Sequence, residues 1–201
     1  MSDRAAPPDT PPAATPPGWT WQPLPHGAAA EPVARVWLAQ RLAAGARALP
    51  ISRDPRGRPQ LGAPFAAWDC NWSHSGGGLL VVLGQGLQVG GDVEYQRPRP
   101  RALELARRYF TAAEAGWLAG LDPAAREHAF LRLWCAKEAL LKAHGHGLAF
   151  GLDRLEFADD AGTLRLRACD PALGRPGQWS LQEIAPAPGY LGALAWRRWP
   201  R

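Results

Sequence analysis

Two acidic residues stand one position apart near the middle of the chain, in Gly91-Asp92-Val93-Glu94. On a strand, residues i and i+2 share a face, so the two carboxylates lie side by side and Val93 turns to the opposite side. Adjacent carboxylates repel each other unless a cation or a shared proton joins them. Hard oxygen ligands in that arrangement suit Mg²⁺. The plain alternative is a strand end whose acids fan into water.

A second group is Trp134-Cys135-Ala136-Lys137-Glu138-Ala139-Leu140-Leu141-Lys142. Read as a helix, its apolar stripe is Phe130, Leu133, Trp134, Leu140 and Leu141, and Lys137 falls in the middle of that stripe. A lysine there needs an anion or a route by which its head snorkels to water. Glu138 and Lys142 are i,i+4 neighbours at the stripe's edge; as a surface pair they stabilise a helix by only about 0.2–0.5 kcal/mol. The misplaced Lys137 argues against a merely solvated face. A third group, Asn71-Trp72-Ser73-His74-Ser75-Gly76-Gly77-Gly78, sets two hydroxyls and an imidazole beside three glycines. It reads as a loop before a strand, able to bind phosphate through close backbone approach and donated hydrogen bonds, with His74 adding charge when protonated. A serine nucleophile with a histidine base is the weaker reading, because sequence neighbours rarely form such a pair.

These residues need elements to hold them. Leu79–Leu83 is a strong strand, and after the Gly84-Gln85-Gly86 turn, residues 87–94 return as a second strand, so the two read as a hairpin. Asp122-Pro123 is a helix start, and the helix runs to about Ala143, ending at Gly145 and Gly147. An earlier helix is expected from Val33 to about Ala48, and a short one over Leu103–Phe110. Arg154–Phe157, Thr163–Ala168, Gln178–Ile184 and Tyr190–Trp196 read as strands. Residues up to about Gly27 are rich in Pro, Ala and Thr and read as a disordered leader.

Composition limits the partners. Of 201 residues, 46% are hydrophobic and 20% charged, which excludes disorder throughout and fits one or two small domains. A net charge of +5 favours phosphorylated small molecules, acidic proteins or nucleic acid. Cys70, Cys135 and Cys169 form no CxxC pair, so free thiols in a reducing cytoplasm fit better than zinc or disulfides. No stretch approaches the length of a membrane span.

In their order, these segments resemble the 4′-phosphopantetheinyl transferases, and within them the longer monomeric type that activates carrier domains of polyketide and nonribosomal peptide synthetases. The likeness rests on Gly57-Arg58-Pro59-Gln60-Leu61, Asn71-Trp72-Ser73-His74-Ser75, Gly90-Gly91-Asp92-Val93-Glu94 and the segment Trp134 to Lys142. Arg108-Tyr109-Phe110-Thr111-Ala112-Ala113-Glu114 is similar to the family's aromatic-then-glutamate segment. It extends from about Arg53 to Phe157.

The resemblance implies an α+β fold, a pseudo-two-fold duplication of two similar α/β halves with coenzyme A in the cleft between them. A leader over residues 1–28, an N-terminal half over 29–89 and a C-terminal half over 90–201 would follow. Asp92, Glu94 and Glu138 would hold Mg²⁺. Lys142 and Lys137 would face the phosphates, Ser73 and His74 the 3′-phosphate, and Arg58 the nucleotide, while the segment after Gly145 would lie near the carrier protein. A carrier serine would attack the phosphorus nearest the pantetheine, releasing adenosine 3′,5′-bisphosphate. Glu138, Glu114 or a metal-bound hydroxide would take its proton. The enzyme would be a cytoplasmic monomer, with neither nucleic acid nor membrane as partner. The sequence departs from the pattern at Gly91, where a β-branched residue is expected, and at Cys135, often a serine. The basic residues that grip the 3′-phosphate have no clear counterparts; Arg35, Arg41 and Arg53 are the candidates. Two other classes compete: a Mg²⁺-dependent pyrophosphohydrolase and a basic nucleic-acid-binding module.

Overall fold

The computed structural model describes residues 15–199. Among the described residues, ten strands and four α-helices form an α+β architecture around two three-stranded antiparallel sheets. The first sheet contains β1 (Gly18–Pro23), β4 (Trp68–Ser75) and β5 (Gly78–Gln85) in the order β1-β5-β4. The second contains β6 (Leu87–Tyr95), β9 (Ser180–Ile184) and β10 (Tyr190–Arg198) in the order β6-β10-β9. Each sheet thus places its last strand between its first and its penultimate one. Two small hairpins stand outside them: β2 (Ile51–Arg53) with β3 (Pro59–Leu61), and β7 (Leu155–Asp160) with β8 (Thr163–Cys169). No described helix is long and apolar enough to cross a membrane.

The continuous apolar run of β5 has a simple cause. Leu79, Val81 and Leu83 pack with Leu38 of α1 (Ala30–Arg41), whereas Leu80 and Val82 pack with Val89, Val93 and Leu194 of the second sheet. A strand covered on both faces has no polar side. The third cluster surrounds the long helix α4 (Pro123–His144), which packs with α2 (Ala102–Tyr109), α3 (Ala112–Ala119), β7 and β10.

The expected hairpin of β5 with β6 does not form. β5 pairs with β4 through the Gly76-Gly77 turn, and β6 pairs with β10. The segment read as a phosphate loop is therefore the strand β4, which takes the edge of β5. The first helix also stops earlier than its apolar spacing suggests. Ala43 adopts φ 51°, and Ala44 N–H donates to Ala39 O at 2.9 Å, a helix-ending motif built without glycine. In contrast, α4 begins and ends as its sequence specifies. Asp122 Oδ1 accepts from Ala124 and Ala125, Pro123 opens the first turn, and Gly145 closes the helix at φ 91°.

The leader expectation is corrected over Gly18–Pro23; residues 1–14 lie outside the described residues. Gly18 to Pro23 pair with Leu83 to Gly78 across the whole length of β5, and Trp21 packs edge-on to Tyr190 with ring centroids 5.5 Å apart. The Trp-Thr-Trp-Gln alternation inside a Pro-rich composition is a strand signal. A chain beginning at Ala28 lacks this strand and exposes an apolar sheet edge. Its expected behaviour is a lower melting temperature and self-association, read by circular dichroism and size-exclusion chromatography.

Candidate active site

The two sheets meet at the edge strands β4 and β6, which are joined by side chains. An edge strand has unpaired N–H groups that need acceptors. Val89 N–H donates to Asp69 Oδ2 at 2.8 Å, Gly91 N–H to Asn71 Oδ1 at 3.2 Å, and Tyr95 N–H to Ser75 Oγ at 3.2 Å. Between these rungs Ser73 Oγ donates to Asp92 Oδ1 at 2.7 Å. The alternate residues Asp69, Asn71, Ser73 and Ser75 thus face β6. Trp72 and His74 project to the other side of the strand, Trp72 half-buried and His74 exposed.

α4 lies directly on the opposite flank of β6. A Cβ added to Gly90 would stand 2.1 Å from Ala139 O and 2.4 Å from Ala143 N, so only glycine lets the helix backbone this close. A Cβ on Gly91 would meet Val82 Cγ2 at 2.6 Å on the other face. The departure at Gly91 is therefore a packing requirement of the interface between the sheets. Asp92 and Glu94 share the face toward α4, and Val93 is buried opposite in the inter-sheet core.

Lys142 of α4 reaches over this face. Its Nζ donates to Asp92 Oδ1 at 2.7 Å and to Ser73 Oγ at 2.9 Å, and lies 3.8 Å from Glu138 Oε2. Burial, with Asp92 and Glu94 nearby, pushes the Glu138 carboxyl up to about 7, against the opposing pull of Lys142. Burial disfavours the Lys142 ammonium, but Asp92 and Glu138 outweigh it and raise its pKa. Glu94 Oε2 accepts from Arg99 Nη2 at 2.7 Å and from Ser75 Oγ at 2.9 Å. Among the described residues, no three His, Cys, Asp or Glu side chains form a ready metal cage. The chemistry of the donor set nonetheless fits a hard dication. Asp92 Oδ2 is buried without a hydrogen-bond partner among the described residues, and Glu138 is disfavoured as an anion by burial beside Asp92.

Lys142 also lines a cavity of about 450 Å³ whose wall includes Arg53, Arg56, Trp72 and His146. The Arg53 guanidinium lies 5.3 Å from the Trp72 ring centroid while pairing with Glu31 at 2.7 Å. Arg56 and His146 were not singled out by the sequence, and Trp72 entered only as part of the Asn71-Trp72-Ser73-His74-Ser75 segment. Arg56 stands two positions before Arg58 in the same Arg-Gly-Arg-Pro stretch, which was the available signal.

Two expected site residues lie elsewhere. Lys137 and Glu114 form an ion pair at 2.7 Å with no exposed side-chain surface. Lys137 also donates to the carbonyls of Leu152 and Leu155. Glu114 accepts from Phe157 N at 2.8 Å and Thr111 N at 2.9 Å. The anion that the misplaced lysine required is thus internal: Lys137 and Glu114 are spent on each other and on backbone groups, and neither lines the cavity. Arg35 is likewise committed, to Glu31 and to Leu49 O. Arg58 borders the cavity, but its guanidinium is turned inward to Asp69.

At the end of α4, His144 Nδ1 and His146 Nδ1 lie 2.5 Å apart, so one donates to the other. Burial, His146 and Arg197 push the His144 pKa down from 6.5 to about 4. Between these values the unfolded chain holds the proton and the folded chain does not. The stabilisation from a neutral His144 is therefore full above pH 6.5 and lost as the pH falls toward 4. Urea unfolding at about pH 7.5 and about pH 5 should show a smaller acid loss for His144→Asn than for the native chain.

Two carboxylates beneath a lysine, beside a basic and aromatic wall where two sheets meet, define a class of site suited to a polyphosphate and a cation. The family model described as the 4′-phosphopantetheinyl transferase superfamily matches residues 88–195, and the chain belongs to that superfamily. It is 36% identical over 145 residues to the 4′-phosphopantetheinyl transferase HetI of Nostoc, covering 71% of this chain and 58% of the relative. It is 35% identical over 123 residues to the putative 4′-phosphopantetheinyl transferase slr0495 of Synechocystis, covering 60% and 50%. The chain thus spans between half and three fifths of the length of these relatives. The solved holo-[acyl-carrier-protein] synthase of Thermotoga maritima superposes with a TM-score of 0.44 at 21% identity, over 55% of this chain and 62% of that one.

Proposed function

We propose that the chain transfers the 4′-phosphopantetheine arm of coenzyme A to a serine hydroxyl of an acyl or peptidyl carrier protein. Adenosine 3′,5′-bisphosphate is the other product. The observation that carries this reading is Lys142 seated on Asp92, with Glu138 at its edge, in the wall of the cavity. Asp92, Glu94 and Glu138 would hold Mg²⁺, which supplies charge neutralisation on the pyrophosphate when bound.

The chain's own residues account for the rest. The serine proton passes to a base as the new oxygen–phosphorus bond forms, and Glu138, at the edge of the Lys142 site, is the carboxylate placed to take it. Lys142 stabilises the departing phosphate as the old phosphorus–oxygen bond breaks. Arg53 and Arg56 supply positive charge at the wall, and Trp72 an apolar surface for the nucleotide. Ser73, held on Asp92, acts through Lys142 rather than on the 3′-phosphate. The shared strand order of the two sheets supports a pseudo-two-fold duplication divided near residues 89 and 90. Three free cysteines fit a reducing compartment such as the cytoplasm.

The reading is tested by calorimetry of coenzyme A on the intact chain with Mg²⁺ and with chelator; tighter binding with Mg²⁺ supports it, and no binding in either condition refutes it. His74 sharpens the test, since it shares the outward strand face with Trp72. A hydrogen bond from its ring to the 3′-phosphate is worth roughly 1.5–3 kcal/mol. His74→Ala should therefore weaken use of coenzyme A about ten- to a hundredfold and leave dephospho-coenzyme A almost unaffected. Equal losses on both would assign His74 to the strand's shape alone.

A further inference from the structure

We propose that Arg58 is a positioning residue: it fixes the last turn of α4 and, through it, the ammonium of Lys142. This rests on the reading of Lys142 given above. Arg58 lies between β2 and β3, where Asp54 Oδ1 accepts from the backbone N–H groups of Arg56 and Arg58, both at 2.9 Å. Its backbone is thereby set before its side chain crosses to the other sheet.

The guanidinium has five N–H groups in a fixed fork, and each has an internal acceptor. Nη1 and Nη2 grip Asp69 Oδ1 and Oδ2 at 2.7 and 2.6 Å, a bidentate pair. The second hydrogen of Nη2 reaches Val89 O at 3.0 Å, and that of Nη1 lies 3.4 Å from Pro59 O. Nε donates to Lys142 O at 2.9 Å. Asp69 Oδ2 in turn accepts Val89 N–H at 2.8 Å. One side chain, only 13% exposed, thus joins β3, β4, β6 and the end of α4.

The Lys142 carbonyl is one of the four that a helix leaves unpaired at its C-terminus, and a cation there also meets the negative end of the helix dipole. Arg58 therefore holds the backbone of Lys142 at one end while Asp92 and Ser73 hold its Nζ at the other. With all five hydrogens committed, Arg58 has no donor left for a phosphate in the cavity. Loosening it should release the ammonium from its place over Asp92. Coenzyme A should still bind, but charge developing on the leaving phosphate should be less well stabilised.

The chain contains only two lysines, Lys137 and Lys142, which allows a direct test. The intact native chain, Arg58→Gln and Asp69→Asn are treated with an acetylating reagent, and both lysines are followed by peptide mass spectrometry. Lys137, fully buried, reports unfolding. The expected result is Lys142 acetylation at least about fivefold faster in both variants while Lys137 stays protected. Turnover should fall at least tenfold, equally with coenzyme A and dephospho-coenzyme A, with KM within twofold of native. If Arg58→Gln labels Lys137 as well, the isosteric Asp69→Asn, which removes the same grip, carries the test alone. Unchanged Lys142 labelling in a folded variant overturns the proposal. So does a KM that rises for coenzyme A and not for dephospho-coenzyme A, which would make Arg58 a phosphate contact. The labelling result stands whether or not the native chain transfers the arm, so failure of the positioning role and failure of the functional reading are separable.

Discussion

Asp92→Asn should reduce transfer at least about a thousandfold while leaving the chain folded. The amide keeps the size of the carboxylate and an oxygen for Ser73 and Lys142, but it removes the charge that seats the ammonium and leaves no anion at the buried Oδ2 position. The repulsion of adjacent carboxylates read from the sequence would by itself make the loss of Asp92 a relief. In the structure Asp92 also holds the Lys142 ammonium at 2.7 Å, an attraction that offsets that repulsion, while Glu138 lies farther from it at 3.8 Å. The variant should melt at or below the native temperature in chelator. Turnover within tenfold of native would remove Asp92 from the chemistry.

Lys137→Ala should have the largest effect on stability. It leaves Glu114 as a buried carboxylate whose cation is gone, with only the donors from Thr111 and Phe157 remaining. Breaking a buried pair from one side costs about 3–5 kcal/mol, a large part of the roughly 5–15 kcal/mol that a domain has. For a chain of this size, each kcal/mol moves the melting temperature by about 2–4 °C. A fall of roughly 6–20 °C is therefore expected, with turnover per folded molecule retained. The double replacement Lys137→Met with Glu114→Gln should recover much of the loss, since no bare charge is left behind. A variant that melts normally and fails only in transfer would place Lys137 back at the phosphates.

What the sequence revealed followed local rules. The period of two along a strand correctly placed Asp92 and Glu94 on one face, and Asp122-Pro123 with Gly145 correctly bounded α4. Lys137 was visibly out of place on its stripe, but its partner Glu114 lies 23 positions away on another helix, where no local spacing reaches. The Ser-His-Ser segment misled because polar residues beside glycines look like a loop. Their polarity has another cause: Asn71 and Ser75 supply the acceptors that the edge of β6 lacks, and Ser73 bonds to Asp92. The same alternation separates Ser73 from His74, which the sequence had assigned together. The hairpin of β5 with β6 failed because turn chemistry at Gly84-Gln85-Gly86 fits a crossing between sheets as well as a return within one. Arg58 shows the limit from the other side: the resemblance put it near the nucleotide and it does border the cavity, but no local rule tells that its five hydrogens go to internal acceptors.

The central claim is most directly tested by intact-mass spectrometry of an apo carrier domain incubated with the chain, coenzyme A and Mg²⁺. The account predicts that the carrier gains the mass of one phosphopantetheine arm, located on its serine, and that the gain is absent with Asp92→Asn. An unmodified carrier, or release of free phosphopantetheine without any acceptor, would contradict it.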